Sequence, residues 1–409
     1  MRLLVVTQYF WPENFRINDL VSELASRGHE VTVLTGKPNY PDGIVFGDFR
    51  ESPSSFNTYN EAEIVRVPML ARGQGNVRLL LNYIAFALSA SVIGPWRLYG
   101  REFDAIFVCQ LSPITVGIPA IVMRIIKKAP LSFWVLDLWP ETLEAVGVLR
   151  SKRMLKLVGK LSSFIYKRCD LILAQSKSFI PKIAQYAGSC ARIEYFPSWA
   201  ESVLNIQNVS LAPEVQLIEG VFNIVFAGNI GDAQDFPAIL SAAELLKDHP
   251  NIRWLIIGDG RQARWVKDEI KRRGIQANVL MLGRYPVERM PSFFKHADAL
   301  LISLKNEPIF AMTIPGKLQA YLAVGIPILA MLNGEGADVI RRADAGLTCP
   351  AGDHKALAEV ALKLSVMSIE ERSLMGVNGT AIGADEFGRD KLINQLEFWL
   401  ENLKIKVAN

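Results

Sequence analysis

The sequence predicts two doubly wound α/β domains in series, and three observations carry that prediction. Short apolar runs alternate with amphipathic segments of helix length. The alternation lapses over a polar stretch near the middle and then restarts. The 409 residues also exceed a typical domain of roughly 100–200 residues. Half of the residues are hydrophobic and 21% are charged, so the chain can bury full cores, and global disorder is excluded.

The first domain opens with a buried strand, Leu3–Thr7, a loop over Pro12–Asn14, an amphipathic helix at Ile17–Ser26 and a second strand at Glu30–Leu34. That is a βαβ unit, and repetition of it builds a sheet whose ligand crevice lies at the strand C-termini. Strands follow at Ala62–Val67, Ala105–Cys109, Leu131–Leu136 and Leu171–Ala174, so this domain covers residues 1–200. The stretch Glu201–Gly220, containing Pro213, reads as the linker. The second domain, within residues 201–389, has strands at Phe222–Ala227, Ile252–Ile257, Val279–Leu282, Ala299–Ile302 and Ile328–Ala330. Helices are expected near Pro237–Lys247, Arg261–Arg273, Val287–His296, Lys317–Val324 and His354–Met367. A final amphipathic helix, Asp390–Leu403 within residues 390–409, has Phe398 and Trp399 on its apolar side and is long enough to pack back on the first domain.

Net charge is +4, unevenly spread: residues 1–200 hold 23 Lys/Arg and 16 Asp/Glu, residues 201–409 hold 22 and 25. This suits an anionic membrane surface or a phosphate-bearing ligand better than nucleic acid, which calls for a stronger basic stripe interleaved with aromatics. Leu79–Trp96 is 18 residues without a formal charge. It reads as a spanning helix, a buried core helix or a helix lying in the membrane interface, the last favoured by Arg78, Arg97 and Arg101 at its ends. Arg150–Arg168 interleaves basic and apolar residues, either as a solvated helix face or as a second membrane contact. The N-terminal apolar run is too short for a signal peptide, so a cytoplasmic, membrane-peripheral location is expected. Cys109, Cys169, Cys190 and Cys349 have no metal-site spacing and read as small core residues.

GxGxxG after the first strand, GxxxxGK[ST] and a D-x-D pair are all absent. A bound diphosphate would therefore be neutralised by basic side chains, helix N-termini and backbone N–H groups, with no metal. Three second-domain loops are candidates at one sheet edge: Gly228-Asn229-Ile230-Gly231, Gly258-Asp259-Gly260 and Gly283-Arg284. Thr313-Ile314-Pro315-Gly316-Lys317 opens a helix, and Lys317 in its first turn is the best single phosphate ligand. The histidines His29, His249, His296 and His354 do not fall at the crevice.

Arg27-Gly28-His29-Glu30-Val31-Thr32-Val33, Phe226–Gly231, Ile257–Gly260, Leu282–Arg284, Ala297–Ala299 and Tyr321–Pro327 together resemble the GT-B glycosyltransferases of family 4, over almost the whole chain. Thr35–Pro41, Asp137-Leu138-Trp139-Pro140-Glu141 and Pro315–Tyr321 look most like the bacterial O-antigen and capsule subgroup that contains N-acetyl-L-fucosamine transferases. The resemblance implies two Rossmann-like domains facing each other across a cleft, the first binding an acceptor and the second a nucleotide-sugar. It implies retaining transfer from a nucleotide-diphosphate donor, UDP-linked, to a lipid-diphosphate-linked saccharide, with no metal or other cofactor. The family's pair of glutamates eight residues apart is absent, Met312 and Ala320 standing in those positions, and Glu307 has the wrong spacing.

The implied donor site takes in Gly228, Asn229, Gly231, Gln234, Gly258, Asp259, Gly260, Arg284, Thr313, Pro315, Gly316, Lys317 and Tyr321. Asn229 and Gln234 stand where the family carries basic residues. In the first domain, Asn14 and Arg16 occupy the place of a glycine-rich loop, and Arg16 either faces the diphosphate or is an exposed helix-start charge. Asp137 and Glu141 are the catalytic candidates with Lys317; Asp137 either orients hydroxyls, acts as a base, or caps the following helix. A nucleotide-sugar 2-epimerase and a non-catalytic sugar-nucleotide-binding subunit are the alternative readings.

Overall fold

The computed structural model describes residues 1–41, 43–73, 75–200, 206 and 209–408, without the side chains of 76 and 404–408. Seven residues of the expected linker, 201–205, 207 and 208, lie outside the described residues. The chain divides into two compact units, Met1–Pro197 with Asp390–Asn409, and Ser198–Arg389.

The first unit runs β1 (Arg2–Val6), α1 (Arg16–Ser26), β2 (Glu30–Thr35), α2 (Gly47–Glu51), β3 (Thr58–Tyr59), β4 (Ala62–Arg66), α3 (Asn76–Arg97) and β5 (Ala105–Gln110). It continues with α4 (Gly117–Lys127), β6 (Leu131–Val135), α5 (Glu141–Ala145), α6 (Lys152–Tyr166), β7 (Leu171–Ala174), α7 (Phe179–Ala187) and β8 (Ile193–Tyr195). The sheet order is β3-β4-β2-β1-β5-β6-β7-β8, parallel except for the β3–β4 pair. β1, β5, β6 and β7 are apolar runs that are almost wholly buried, as a sheet covered by helices on both faces requires. α3 packs on α4, α4 on α6 and α6 on α7, forming one continuous helical layer.

The second unit contains β9 (Phe222–Ala227), α8 (Phe236–Leu245), β10 (Ile252–Ile257), α9 (Ala263–Arg273), β11 (Val279–Gly283), α10 (Met290–Phe294), β12 (Ala299–Ser303) and α11 (Pro308–Met312). These are followed by α12 (Gly316–Val324), β13 (Ile328–Met331), α13 (Glu335–Ala343), β14 (Gly346–Cys349), α14 (His354–Val366) and α15 (Ile369–Phe387). Its strand order is β11-β10-β9-β12-β13-β14, all parallel. The order reverses between β9 and β12, which opens a crevice beyond their C-terminal ends. The last helix, α16 (Arg389–Ala408), belongs almost entirely to the first unit.

Several expectations are corrected. The helix expected over Val287–His296 divides into a 3-10 turn, Val287–Arg289, and α10, because Pro291 has no N–H to give the preceding turn. β14, α13 and α15 had no clear sequence signal. Cys109 and Cys349 are buried, but Cys169 is only partly so and Cys190 is exposed. On α16, Trp399 is buried against Phe196 while Phe398 is 63% exposed, since successive helix residues point about 100° apart.

α3 is neither a core helix nor a spanning one. Tyr83, Phe86, Ala87 and Ala90 on one face are buried, together with Asn82. The Asn82 carboxamide oxygen accepts from Gln8 (2.7 Å) and the Tyr9 hydroxyl (3.2 Å), and its NH2 donates to the Leu70 carbonyl (2.6 Å). A helix tied in this way to the loops after β1 and β4 cannot be surrounded by lipid. The opposite face leaves Val77, Leu80, Leu81, Ile84, Leu88, Val92 and Trp96 exposed.

Candidate functional site

In the second unit, the loops after β9, β10 and β11 are knitted together by backbone hydrogen bonds. The N–H of Gly228 donates to Ile257 O (2.8 Å), that of Gly258 to Gly283 O (2.7 Å), and that of Ile230 to Asp259 O (2.9 Å). Glycine is required for this approach. At Gly258, with φ of +138°, a Cβ would sit 1.9 Å from the Gly228 carbonyl oxygen, and at Gly260 one would sit 2.4 Å from that of Ile230.

Lys317 comes to this edge from the other side of the β9/β12 reversal. Pro315 is the N-cap of α12, and Lys317 lies in the first turn, where the positive helix end and unpaired N–H groups favour an anion. Its Nζ is 3.5 Å from the centre of the Phe226 ring, and a Cβ on Gly228 would come within 2.7 Å of its Cε. Burial against this apolar wall pushes the Lys317 ammonium down to about 7. The site thus couples a cation of low hydration to a glycine turn with exposed backbone, an arrangement suited to a phosphate oxyanion.

The other predicted donor-site residues have distinct places. Asn229, Asp259, Arg284 and Gly316 are exposed at the same edge. The Gln234 carboxamide oxygen accepts from the Gly231 N–H (3.1 Å) and closes the turn after β9, while the Thr313 hydroxyl donates to Ile309 O (2.8 Å). Tyr321 needs correction as a ligand. It is 2% exposed, and its hydroxyl accepts from Ala227 N (3.1 Å) and donates to Ala227 O (3.3 Å), so it braces the end of β9 instead.

In the first unit, Asp137 follows β6. Its Oδ2 accepts from Trp139 Nε1 (2.9 Å), and the hydroxyls of Thr142 and Ser112 also bond to it; burial nevertheless raises its carboxyl above the ordinary aspartate value. Ser112 in turn bonds Tyr83 of α3. Asp137 does not cap the next helix, because the N-cap of α5 is Pro140. Glu141 turns elsewhere: its Oε1 accepts from the Tyr186 hydroxyl (2.7 Å) and lies 3.5 Å from Lys182 Nζ. Arg16 opens α1, half-buried, and Asn14 is exposed beside it.

Sequence reasoning missed Glu13. It is 3% exposed, with Oε1 accepting from the N–H groups of Asn39 and Tyr40 (both 2.7 Å) and Oε2 from Phe10 (3.1 Å). The carboxylate holds the β1–α1 and β2–α2 loops together. Burial pushes it up to about 7 against those three donors. A glutamate flanked by Pro12 and Asn14 reads as a loop charge, since its partners are backbone groups that leave no mark in the sequence. The turn after β13 was also missed. There Gly334 has φ of +69° and lies against Ala311 O, and Asn333 bonds Asn306 (3.1 Å) and the Ala351 N–H (3.1 Å).

Residues 211–381 match the family model for glycosyl transferases group 1. The chain is 25% identical over 345 residues to the putative colanic acid biosynthesis glycosyl transferase WcaI of Escherichia coli, covering 80% of this chain and 82% of that one. It is 28% identical over 241 residues to the probable glycosyltransferase WbjE of Pseudomonas aeruginosa, covering 56% and 58%. Among solved structures, Anabaena Alr3699/HepE in complex with UDP and glucose superposes with a TM-score of 0.69 at 14% identity, over 98% of this chain and 99% of that one. The fold is GT-B, with two Rossmann-like domains. The protein is an enzyme, a glycosyltransferase.

Proposed function

We propose that this glycosyltransferase moves N-acetyl-L-fucosamine or a related deoxyamino sugar from a UDP-linked donor to a lipid-diphosphate-linked saccharide, with retention at the anomeric carbon, in surface-polysaccharide assembly. The observation that carries the donor half is Lys317 set over the Gly228 turn. Breaking the anomeric C–O bond through an oxocarbenium-like transition state gathers negative charge on the departing diphosphate. Lys317, Arg284 and the N–H groups of the glycine turns neutralise it without a metal ion. The acceptor hydroxyl attacks from the face that the phosphate leaves, and a phosphate oxygen takes its proton.

The uridine nucleotide is supported by the UDP complex of the Anabaena neighbour, and polysaccharide assembly by the colanic acid relative. Peripheral attachment to the cytoplasmic membrane is supported by the exposed apolar face of α3, and Ile125 and Ile126 of the neighbouring α4 are exposed as well. Arg78, Arg97 and Lys128 are exposed near the ends of these helices and suit anionic lipid.

The test is a screen of nucleotide-sugars with lipid-diphosphate N-acetylglucosamine, read by mass, with and without a chelator. A glycosylated lipid that forms equally in both conditions is expected. Donor conversion without acceptor would make the protein an epimerase, and UDP binding with no product from any acceptor would make it a binding subunit.

A further inference from the structure

The Asp137 side chain takes hydrogen bonds from three directions. Trp139 Nε1 donates to Oδ2 at 2.9 Å, the Thr142 hydroxyl comes from α5, and the Ser112 hydroxyl comes from the loop after β5. An ionised carboxylate only accepts, so all three groups donate to it. With its proton given to Asp137, the Ser112 oxygen is left as an acceptor, and the Tyr83 hydroxyl that bonds it is the donor. The chain therefore runs one way, from Tyr83 of α3 through Ser112 to Asp137.

Tyr83 also reaches a second of the three donors. Its ring centre lies 5.9 Å from that of Trp139, with the planes tilted by 60°, within the range of favourable aromatic pairs. Both residues are buried, and the Trp139 carbonyl accepts from Ser162 Oγ of α6 at 3.0 Å, so this tryptophan is held from α3 and from α6. Asn82, the preceding residue on α3, is tied to the loops after β1 and β4, which fixes α3 at this point. Asp137 itself stays partly exposed. Among the described residues it makes no ion pair, and the hydrogen bonds alone oppose the effect of its burial. Tyr166 of α6 also faces it, but the Tyr166 hydroxyl has no hydrogen-bond partner among the described residues. From α5, Glu141 is turned to Tyr186, and Arg72 and Tyr40 face Tyr83 rather than Asp137. Burial raises the Tyr83 phenol above the ordinary tyrosine value, so it remains a donor.

We propose that Tyr83 is a positioning residue of this transferase: through the Ser112 hydroxyl and the Trp139 indole it holds two of the three bonds that keep Asp137 an oriented carboxylate. The proposal rests on the reading of Asp137 as a catalytic carboxylate that orients sugar hydroxyls. Hydroxyls linked in a chain polarise one another, so removing the phenol weakens the bond from Ser112 to Asp137 and favours the protonated acid.

The test uses the full chain with Tyr83→Phe, Ser112→Ala and the two combined, and Asp137→Asn to assign the signal. Tyr83→Phe keeps the ring against Trp139 and removes the hydroxyl alone. The first arm needs no substrate: carboxyl NMR follows the titration of Asp137. Ser112→Ala is expected to move its midpoint up by about one pH unit, as the loss of a hydrogen bond to a charged group implies, and Tyr83→Phe by a smaller step in the same direction. In the Ser112→Ala background Tyr83→Phe should add nothing, because the route between them is gone. In the second arm, UDP-N-acetyl-L-fucosamine and lipid-diphosphate N-acetylglucosamine are turned over across pH. The acid limb of kcat should move up by the same steps, while KM for donor and for acceptor stays put. An unshifted midpoint in Tyr83→Phe, or the same shift with and without Ser112, would overturn the proposal. So would a shifted midpoint with an unshifted kcat profile. Full turnover by Asp137→Asn would instead sink the catalytic reading of Asp137, and the proposal with it.

Discussion

The ammonium of Lys317 rests 3.5 Å from the centre of the Phe226 ring, joining the start of α12 to the end of β9 across the point where the strand order reverses. Two segments about ninety residues apart in sequence thus meet where an open parallel sheet takes its ligand.

Because burial lowers Lys317 to about 7, the free enzyme loses that charge as pH rises through neutrality, whereas a bound diphosphate restores it. Donor affinity should fall above pH 7, by up to about tenfold per pH unit while the bound form stays protonated. Lys317→Arg should flatten that dependence, and Lys317→Ala should slow transfer by about a hundredfold or more. Titration of UDP against pH for the three proteins checks this; a flat wild-type profile would remove the lysine from the site.

Gly258→Ala should destabilise the second unit by roughly 1–3 kcal/mol, because φ of +138° and the Gly228 carbonyl leave no room for a methyl group. Gly316→Ala meets open space and should change melting little. Calorimetry on the pair separates close backbone approach from general glycine loss.

Glu13→Ala leaves three N–H donors, those of Phe10 and Asn39 buried and that of Tyr40 partly so, without their acceptor. A loss of about 2–3 kcal/mol is expected, with faster amide exchange at Asn39 and Tyr40 as its local signature.

Trp399→Ala should cost about 3–5 kcal/mol through the cavity left beside Phe196, against less than about 0.5 kcal/mol for Phe398→Ala on the exposed side. Urea unfolding measures both.

Leu88→Glu with Val92→Glu, both on the outer face of α3, should abolish binding to anionic vesicles without altering the melting temperature. Flotation of the wild type and the variant reads this directly; equal binding would detach α3 from the membrane role.

By itself the sequence determined the α/β class, every strand of both sheets except the short β3, β8 and β14, and the glycine loops with Lys317. Those signals are local: apolar runs, helical periodicity and turn residues are written in neighbouring positions. Only the tertiary structure decided that Tyr321 braces β9, that Glu141 turns toward Tyr186, that Glu13 ties two loops, and which face of α3 is left outside. Each of these depends on atoms far apart in the chain, often on backbone N–H and C=O groups that every residue shares, so residue identity alone carries no trace of the partner.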